Sequence, residues 1–486
     1  MSAPVRVAGP TPAAVGEGAP RPAAYLHSVS AQALARVIYV GSGAIVFIML
    51  ARRFGPAELG LYALVLSLQN IAITAGDLGT TSLLSRDLVA SGAGWRRYLG
   101  AFIMFRLLLG FLVGGTAALL VGLWSPDELL GALLVCALLL PLNAARFFDP
   151  IFQFAGRPYW STWLALGYAA LLPAATWLAL ADRSTVAAAA GSAFALTGAA
   201  YGAAGLVLIV LAGRPLFDHA AIQRIPLIAS GASALGAVSL LSMLTLRLDV
   251  PLIEWLGGSA AVGLYNAAFR FFDLGVAVVV TLQTPLVPLL ARLAAVDRVR
   301  LALVCRSLMG WTAALGVAGT LLTACLGPTV LELLFGLPYR SAGAVLALLA
   351  AKLTLATLNL LLVLCLMVVA PIGRLWISSA AALATNLALN LLLIPMLGAT
   401  GAGLAALACE LPQLAITALF VRSAHFGIFD CVPWPRVGSA VLAGTVAAAL
   451  PGSPLLRALL AVGVFAGALR VLRIWPANPL PRMRIN

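Results

Sequence analysis

Asp77, Arg106, Arg247, Asp249, Arg270, Asp273, Lys352 and Glu410 each interrupt a long apolar stretch of the sequence. A charge at the centre of a lipid-embedded helix costs about 2.5–3.5 kcal/mol on insertion scales, so such residues are expected to face a bundle interior or a wet cavity. The cations suit an anionic ligand. Arg is the better group for one, because a planar guanidinium can offer two parallel N–H donors to a pair of oxygens. Arg247 and Asp249 are two residues apart and point to different sides of a helix, which leaves Arg247 available to a ligand. Arg270 and Asp273 are three apart and share a face, so they either pair or line the cavity together. Lys352 and Asn359, two turns apart, form a polar stripe. Arg106 joins Arg247, Arg270, Lys352 and Asn359 as a cavity candidate, unless it snorkels or pairs with Asp77. Asp77, Asp249, Asp273 and Glu410 are candidates either for coupling to H+ or Na+ or for holding helices together. No catalytic or metal-binding set is expected.

The elements that must position these residues follow from composition. The chain has 486 residues, 62% hydrophobic and only 9% charged, against about a quarter charged in a soluble domain. Apolar runs near the roughly 20 residues that span a bilayer recur along the chain, without the alternation of barrel strands. The expected fold is all-α and polytopic, with about fourteen transmembrane helices. They are placed at 30–51, 61–82, 99–123, 129–148, 160–181, 187–212, 229–253, 263–290, 303–326, 343–369, 375–396, 401–421, 437–450 and 455–472, the thirteenth having the weakest signal. Residues 1–27, rich in Pro, Ala and Gly, are read as a disordered tail.

Orientation follows from the basic residues, which stay on the cytoplasmic side of short loops. With both termini inside, only Arg52, Arg53, Arg183, Arg340 and Arg457 fall on the outer side. This reading gives a multi-pass membrane protein with both termini cytoplasmic. The net charge of +14 is accounted for by that bias and by anionic lipid headgroups, so no nucleic-acid partner is called for.

Signatures of soluble chemistry are missing: there is no Walker A loop, HExxH or CxxC pair. The six cysteines are scattered and read as packing residues, and His27, His219 and His425 are far apart in sequence. GATGAG at 398–403 has no preceding strand and reads as a tight turn between spans.

An internal repeat points toward function. RFGPAELGLYA at 53–63 matches LGGSAAVGLYN at 256–266, with Gly55, Ala57, Gly60, Leu61 and Tyr62 aligned on Gly258, Ala260, Gly263, Leu264 and Tyr265. Each copy links the first two spans of a group of six. The expected organisation is a cytoplasmic tail at 1–27, a six-helix bundle at 28–225, a second at 226–424, an extra helix pair at 425–474 and a tail at 475–486. Repeated halves of this kind can rock about a midplane site and expose it to each face in turn.

RRFGPAELGLYAL at the first copy, with DLGTTSLLSRDL at 77–88, resembles the polysaccharide transporter family of the multidrug/oligosaccharidyl-lipid/polysaccharide (MOP) flippase superfamily. VGLYNAAFRFFDL at 262–274, VPLLARLAAV at 287–296 and NLALNLLLIPMLGATGAGLA at 386–405 are similar to that family's corresponding segments. The resemblance implies a flippase that moves undecaprenyl-diphosphate-linked oligosaccharides from the cytoplasmic to the periplasmic leaflet, beside other polysaccharide-assembly proteins and without a cofactor. This chain has a single Lys, so substrate contacts would fall almost wholly to Arg. Two alternatives remain open: a cation-coupled multidrug or metabolite antiporter of the same superfamily, and a membrane glycosyltransferase or polymerase. Short outer loops without paired acids weigh against the latter.

Overall fold

A computed structural model describes residues 22–84, 95–124, 127–144, 146–180, 186–215, 217, 219–283, 286–369, 375–423 and 434–471. The tail at 475–486, residues 1–21 and the stretch 424–433 lie outside them. The described chain is helical, and twelve stretches are long and apolar enough to cross a membrane. Two shorter apolar helices, Leu129–Leu138 and Ser439–Ala448, stand at the fourth and thirteenth expected spans.

In order, the helices are α1 (Pro22–Phe54), α2 (Pro56–Asp77), α3 (Trp95–Trp124), α4 (Asp127–Leu138), α5 (Leu140–Ala144), α6 (Phe148–Phe154), α7 (Tyr159–Ala179), α8 (Val186–Gly213), α9 (His219–Gln223) and α10 (Ile225–Arg247). There follow α11 (Asp249–Gly257), α12 (Ser259–Gln283), α13 (Leu286–Val296), α14 (Arg298–Phe335), a 3-10 turn (Leu337–Ala342), α15 (Gly343–Val369), α16 (Leu375–Leu397), α17 (Ala399–Ala408), α18 (Glu410–Ser423), α19 (Trp434–Ala448) and α20 (Pro454–Val471). The first helix starts at Pro22, inside the segment expected to be a disordered tail. Pro suits a first helical turn, where its missing N–H is not needed.

Proline explains where single spans break. Pro251 has no N–H to bond the carbonyl of Arg247, four residues back, and the seventh span divides there into α10 and α11. Pro141 divides the fourth span into α4 and α5, and Pro412 divides the twelfth into α17 and α18 in the same way. The break beside Pro141 is met by α3. A Cβ at Gly110 would lie 2.7 Å from Pro141 Cα, so only glycine lets the two backbones approach so closely.

Polarity is inverted relative to a soluble protein. Leu108, Phe111, Leu112, Leu119 and Leu123 of α3 are exposed, while Arg106 of the same helix is buried, as expected where lipid is the solvent. Helix α1 packs on α7, and α2 packs on α8; farther along, α14 packs on α15, and α10 on α16. The pair α19–α20 lies against α14, with Ala440, Ala461 and Phe465 in one cluster with Leu321 and Cys325.

The two copies of the repeat meet. Gly55 (φ 83°) and Gly258 (φ 79°) adopt nearly the same positive-φ conformation immediately before α2 and α12. Helices α2 and α12 then cross at backbone contact through the aligned glycines. A Cβ on Gly60 would overlap the Ser259 carbonyl, 2.7 Å from its carbon, and a Cβ on Gly263 would overlap the Pro56 carbonyl, 2.8 Å from its carbon. Below the crossing, Tyr62 and Tyr265 are buried in the central apolar cluster.

Candidate functional site

The α10–α11 bend aims Arg247 at α12, where Arg270 and Asp273 share a face. Arg247 Nη2 lies 3.1 Å from Asp273 Oδ1, and Arg270 Nη1 lies 3.2 Å from Asp273 Oδ2. One carboxylate therefore serves two guanidiniums and leaves the cluster one positive charge in excess. All three side chains are between 11% and 15% exposed. Arg270 stacks 4.0 Å over the Phe47 ring of α1, and Arg247 4.9 Å over Phe269, contacts that favour a cation. Both Nε atoms are buried without a hydrogen-bond partner.

Asp249, on the other side of the bend, faces away from this cluster as its spacing implies. Its carboxylate accepts from Tyr265 Oη and from Asn390 Nδ2, each at 2.7 Å. Asn390 in turn donates to Asn386 Oδ1 at 3.0 Å. The group is fully buried and ties α11, α12 and α16 together.

Lys352 of α15 is 2% exposed, its Nζ without a hydrogen-bond partner and 5.4 Å from the Phe272 ring. Glu410, at the start of α18, is within its electrostatic reach. Asn359 is also buried, with an unpartnered Oδ1. Phe272 also lines an apolar cavity of about 540 Å³ between α12, α14 and α15, together with Leu282, Leu315, Leu353 and five threonines, Thr312, Thr320, Thr323, Thr354 and Thr357.

Arg106 and Asp77 form a different cluster. Arg106 Nη1 is paired with Asp77 and donates to Thr80 and Thr81 at 2.7 and 2.9 Å. Its Nε donates to the Ala144 carbonyl at 2.9 Å, which also accepts from Nη2, and the guanidinium lies over Phe147. These contacts fasten the end of α2, where Leu78 turns left-handed, to α3 and α5.

Arg146 lies near the end of the expected fourth span at 129–148 and counts by sequence among the cytoplasmic basic residues. In the structure its Nη1 donates to Tyr39 Oη at 3.1 Å and its Nη2 to Asn143 Oδ1 at 2.8 Å. Its guanidinium lies 5.6 and 5.4 Å from the rings of Tyr168 and Tyr201. The only local signal was the Asn143–Arg146 spacing; nothing in the sequence brings together tyrosines from α1, α7 and α8.

Comparison with known proteins agrees with this architecture. Residues 26–294, more than half of the chain, match the model of a family described as polysaccharide biosynthesis protein. No curated protein matches in sequence. Among solved structures, the lipid II flippase MurJ in an inward closed conformation is similar at 12% identity, covering 92% of this chain and 99% of its own, with a TM-score of 0.69. An inward-facing MATE-family multidrug resistance transporter of the MOP superfamily matches at 13% identity over 80% of this chain and 95% of its own, TM-score 0.62. A MOP superfamily transporter from Pyrococcus furiosus, described by the reversed polarity of its binding pocket, matches at 13% identity over 82% of this chain and 96% of its own, TM-score 0.57. The chain thus belongs to the polysaccharide biosynthesis protein family and has the fold of the MOP flippases and transporters.

Proposed function

We propose that the protein flips an undecaprenyl-diphosphate-linked oligosaccharide from the cytoplasmic to the periplasmic leaflet of a bacterial inner membrane, with both termini cytoplasmic. The observation that carries this reading is the Arg247–Asp273–Arg270 cluster: two guanidiniums share one carboxylate and keep buried, unspent Nε–H donors. A diphosphate brings the missing negative charge and the acceptors. Lys352, buried without a hydrogen-bond partner, adds a third cation on α15, with Asn359 on the same face. The apolar cavity beside Phe272 offers space to the first isoprenoid units, while the rest of the tail stays in lipid.

Alternating access follows from the repeat. The α2–α12 crossing at Gly60 and Gly263 closes the face that carries the Gly55 and Gly258 turns, and release on that side requires these helices to part. Glu410, beside Lys352, is the group we assign to ion coupling, and Asp77 with Arg106 a positioning pair at the end of α2. A cationic drug as substrate fits less well, because Asp77 and Asp273 are held by arginines and Asp249 by Tyr265 and Asn390. Among the described residues no acid pair stands ready for glycosyl transfer.

The test is stabilisation by ligand. A ligand at 100 times its Kd adds about 2.7 kcal/mol to the folded state, so undecaprenyl diphosphate should raise the melting temperature of the purified protein where undecaprenol does not. Replacing Arg247, Arg270 and Lys352 together by Gln should abolish the shift. An equal shift in the triple variant would remove the diphosphate from this site.

A further inference from the structure

The diphosphate reading leaves one half-buried cationic group unused. Arg106 is matched by Asp77, and Arg247 and Arg270 by Asp273. Arg146 has no carboxylate within ion-pair distance among the described residues. Its guanidinium is instead enclosed by aromatic rings. Tyr39 stacks on Tyr168 with centroids 4.4 Å apart, and Tyr201 meets Tyr168 edge-on at 5.3 Å. Arg146 Nε is buried with no partner, and the contacts to Tyr39, Asn143 and Tyr168 leave part of the guanidinium's five N–H donors unused.

The space for this guanidinium is built into α8. A Cβ at Gly198 would overlap Arg146 Nη2 and lie 3.2 Å from Asn143 Cγ. Tyr168 lies 5.6 Å from the Arg146 guanidinium and also stands within electrostatic reach of Arg270.

We propose that Arg146 with Tyr39, Tyr168 and Tyr201 forms a second subsite, which holds an oxyanion carried on or beside a sugar ring. The rings give the flat apolar faces on which the C–H face of a pyranose packs, and Tyr39 Oη can turn to a sugar hydroxyl. The unmatched guanidinium takes the charge. That charge is either the carboxylate of an acidic sugar or the phosphate attached to the glycan. A half-buried guanidinium whose Nε is buried and that has no carboxylate partner is costly, and the ligand supplies what the fold omits. The inference rests on the flippase reading in taking the ligand to be the glycan portion of the transported lipid.

The full-length protein in nanodiscs is titrated with methyl glucuronide, glucose 1-phosphate and neutral methyl glucoside. At least one anionic probe should bind about tenfold or more tightly than methyl glucoside. Arg146→Gln should remove that preference, Arg146→Lys should keep part of it, and the exposed Arg340→Gln should leave it in place. Preference for the glucuronide assigns the acidic sugar, and preference for the phosphate assigns the glycan-linked phosphate. No preference in the wild type, or a preference undiminished in Arg146→Gln, overturns the subsite. Should Arg146→Gln not fold, Tyr168→Leu keeps the charge but removes the stacking face, and must weaken binding of the preferred probe several-fold. Binding of undecaprenyl diphosphate is titrated in parallel. Its absence in the wild type refutes the flippase reading, while an Arg146-dependent preference in the same sample would leave the anionic-sugar subsite standing.

Discussion

Gly60→Ala and Gly263→Ala test the crossing of α2 and α12 with one added carbon each. A Cβ at Gly60 would sit 2.7 Å from Ser259 C, and one at Gly263 2.8 Å from Pro56 C, with the carbonyl oxygens nearer still. Non-bonded carbons rest about 3.5–4.0 Å apart, so the helices must part by about 1 Å. Overpacking against backbone costs about 1–3 kcal/mol, and it applies only where the helices touch. The helix-propensity gain of Ala over Gly, about 1 kcal/mol, applies whether the crossing is open or closed. The ratio of closed to open should therefore fall by the full overpacking term, about 5- to 150-fold at 1.4 kcal/mol per decade. The reporter is Asn266→Cys, fully buried three residues beyond Gly263, in a chain whose native cysteines are replaced. Labelling by a membrane-impermeant maleimide from the Gly55 face should quicken several-fold in either variant. Gly115→Ala, where a Cβ meets nothing within 4 Å, should leave the rate unchanged. The double variant should show less than the sum, because both substitutions open one crossing. Labelling at the parental rate in both single variants would refute the gate.

Arg106→Ala strands Asp77 and frees the end of α2; loss of one partner of a buried pair costs about 3–5 kcal/mol, read as a marked drop in melting temperature. Asp273→Asn removes the charge that Arg247 and Arg270 share, so affinity for undecaprenyl diphosphate should rise several-fold while the melting temperature falls, both measured on one preparation. Gly198→Ala should weaken binding of the probe that Arg146 prefers, with little effect on undecaprenyl diphosphate, by displacing the guanidinium. Asn390→Leu leaves Asp249 with Tyr265 alone and should cost about 1–3 kcal/mol of stability, checked by thermal melting.

The spans were readable because a helix in lipid must be apolar over a fixed length, a property carried by neighbouring residues in sequence. Their interruptions were less so. Pro141, Pro251 and Pro412 divide spans that hydropathy draws as continuous, and α14 runs through Pro328 to Phe335, past the expected end at 326, stopping only at the positive-φ Gly336. Among the charges, the Arg270–Asp273 contact follows from helical spacing. The pairing of Arg247 with the same carboxylate does not, since it depends on how α10 docks on α12. Arg146 shows the limit most clearly. A basic residue at a span end reads as a loop charge, and only packing against Gly198 and three tyrosines from separate helices turns it inward.

The central claim is translocation, and it is tested most directly in vesicles. Proteoliposomes containing the protein and a fluorescent undecaprenyl-diphosphate oligosaccharide are treated with a lectin that reaches only the outer leaflet. Lectin-accessible signal should rise with time in protein-containing vesicles, and should stay at the protein-free level when Arg247, Arg270 and Lys352 are all Gln. Equal accessibility with and without the wild-type protein, for every such lipid tried, would contradict the account.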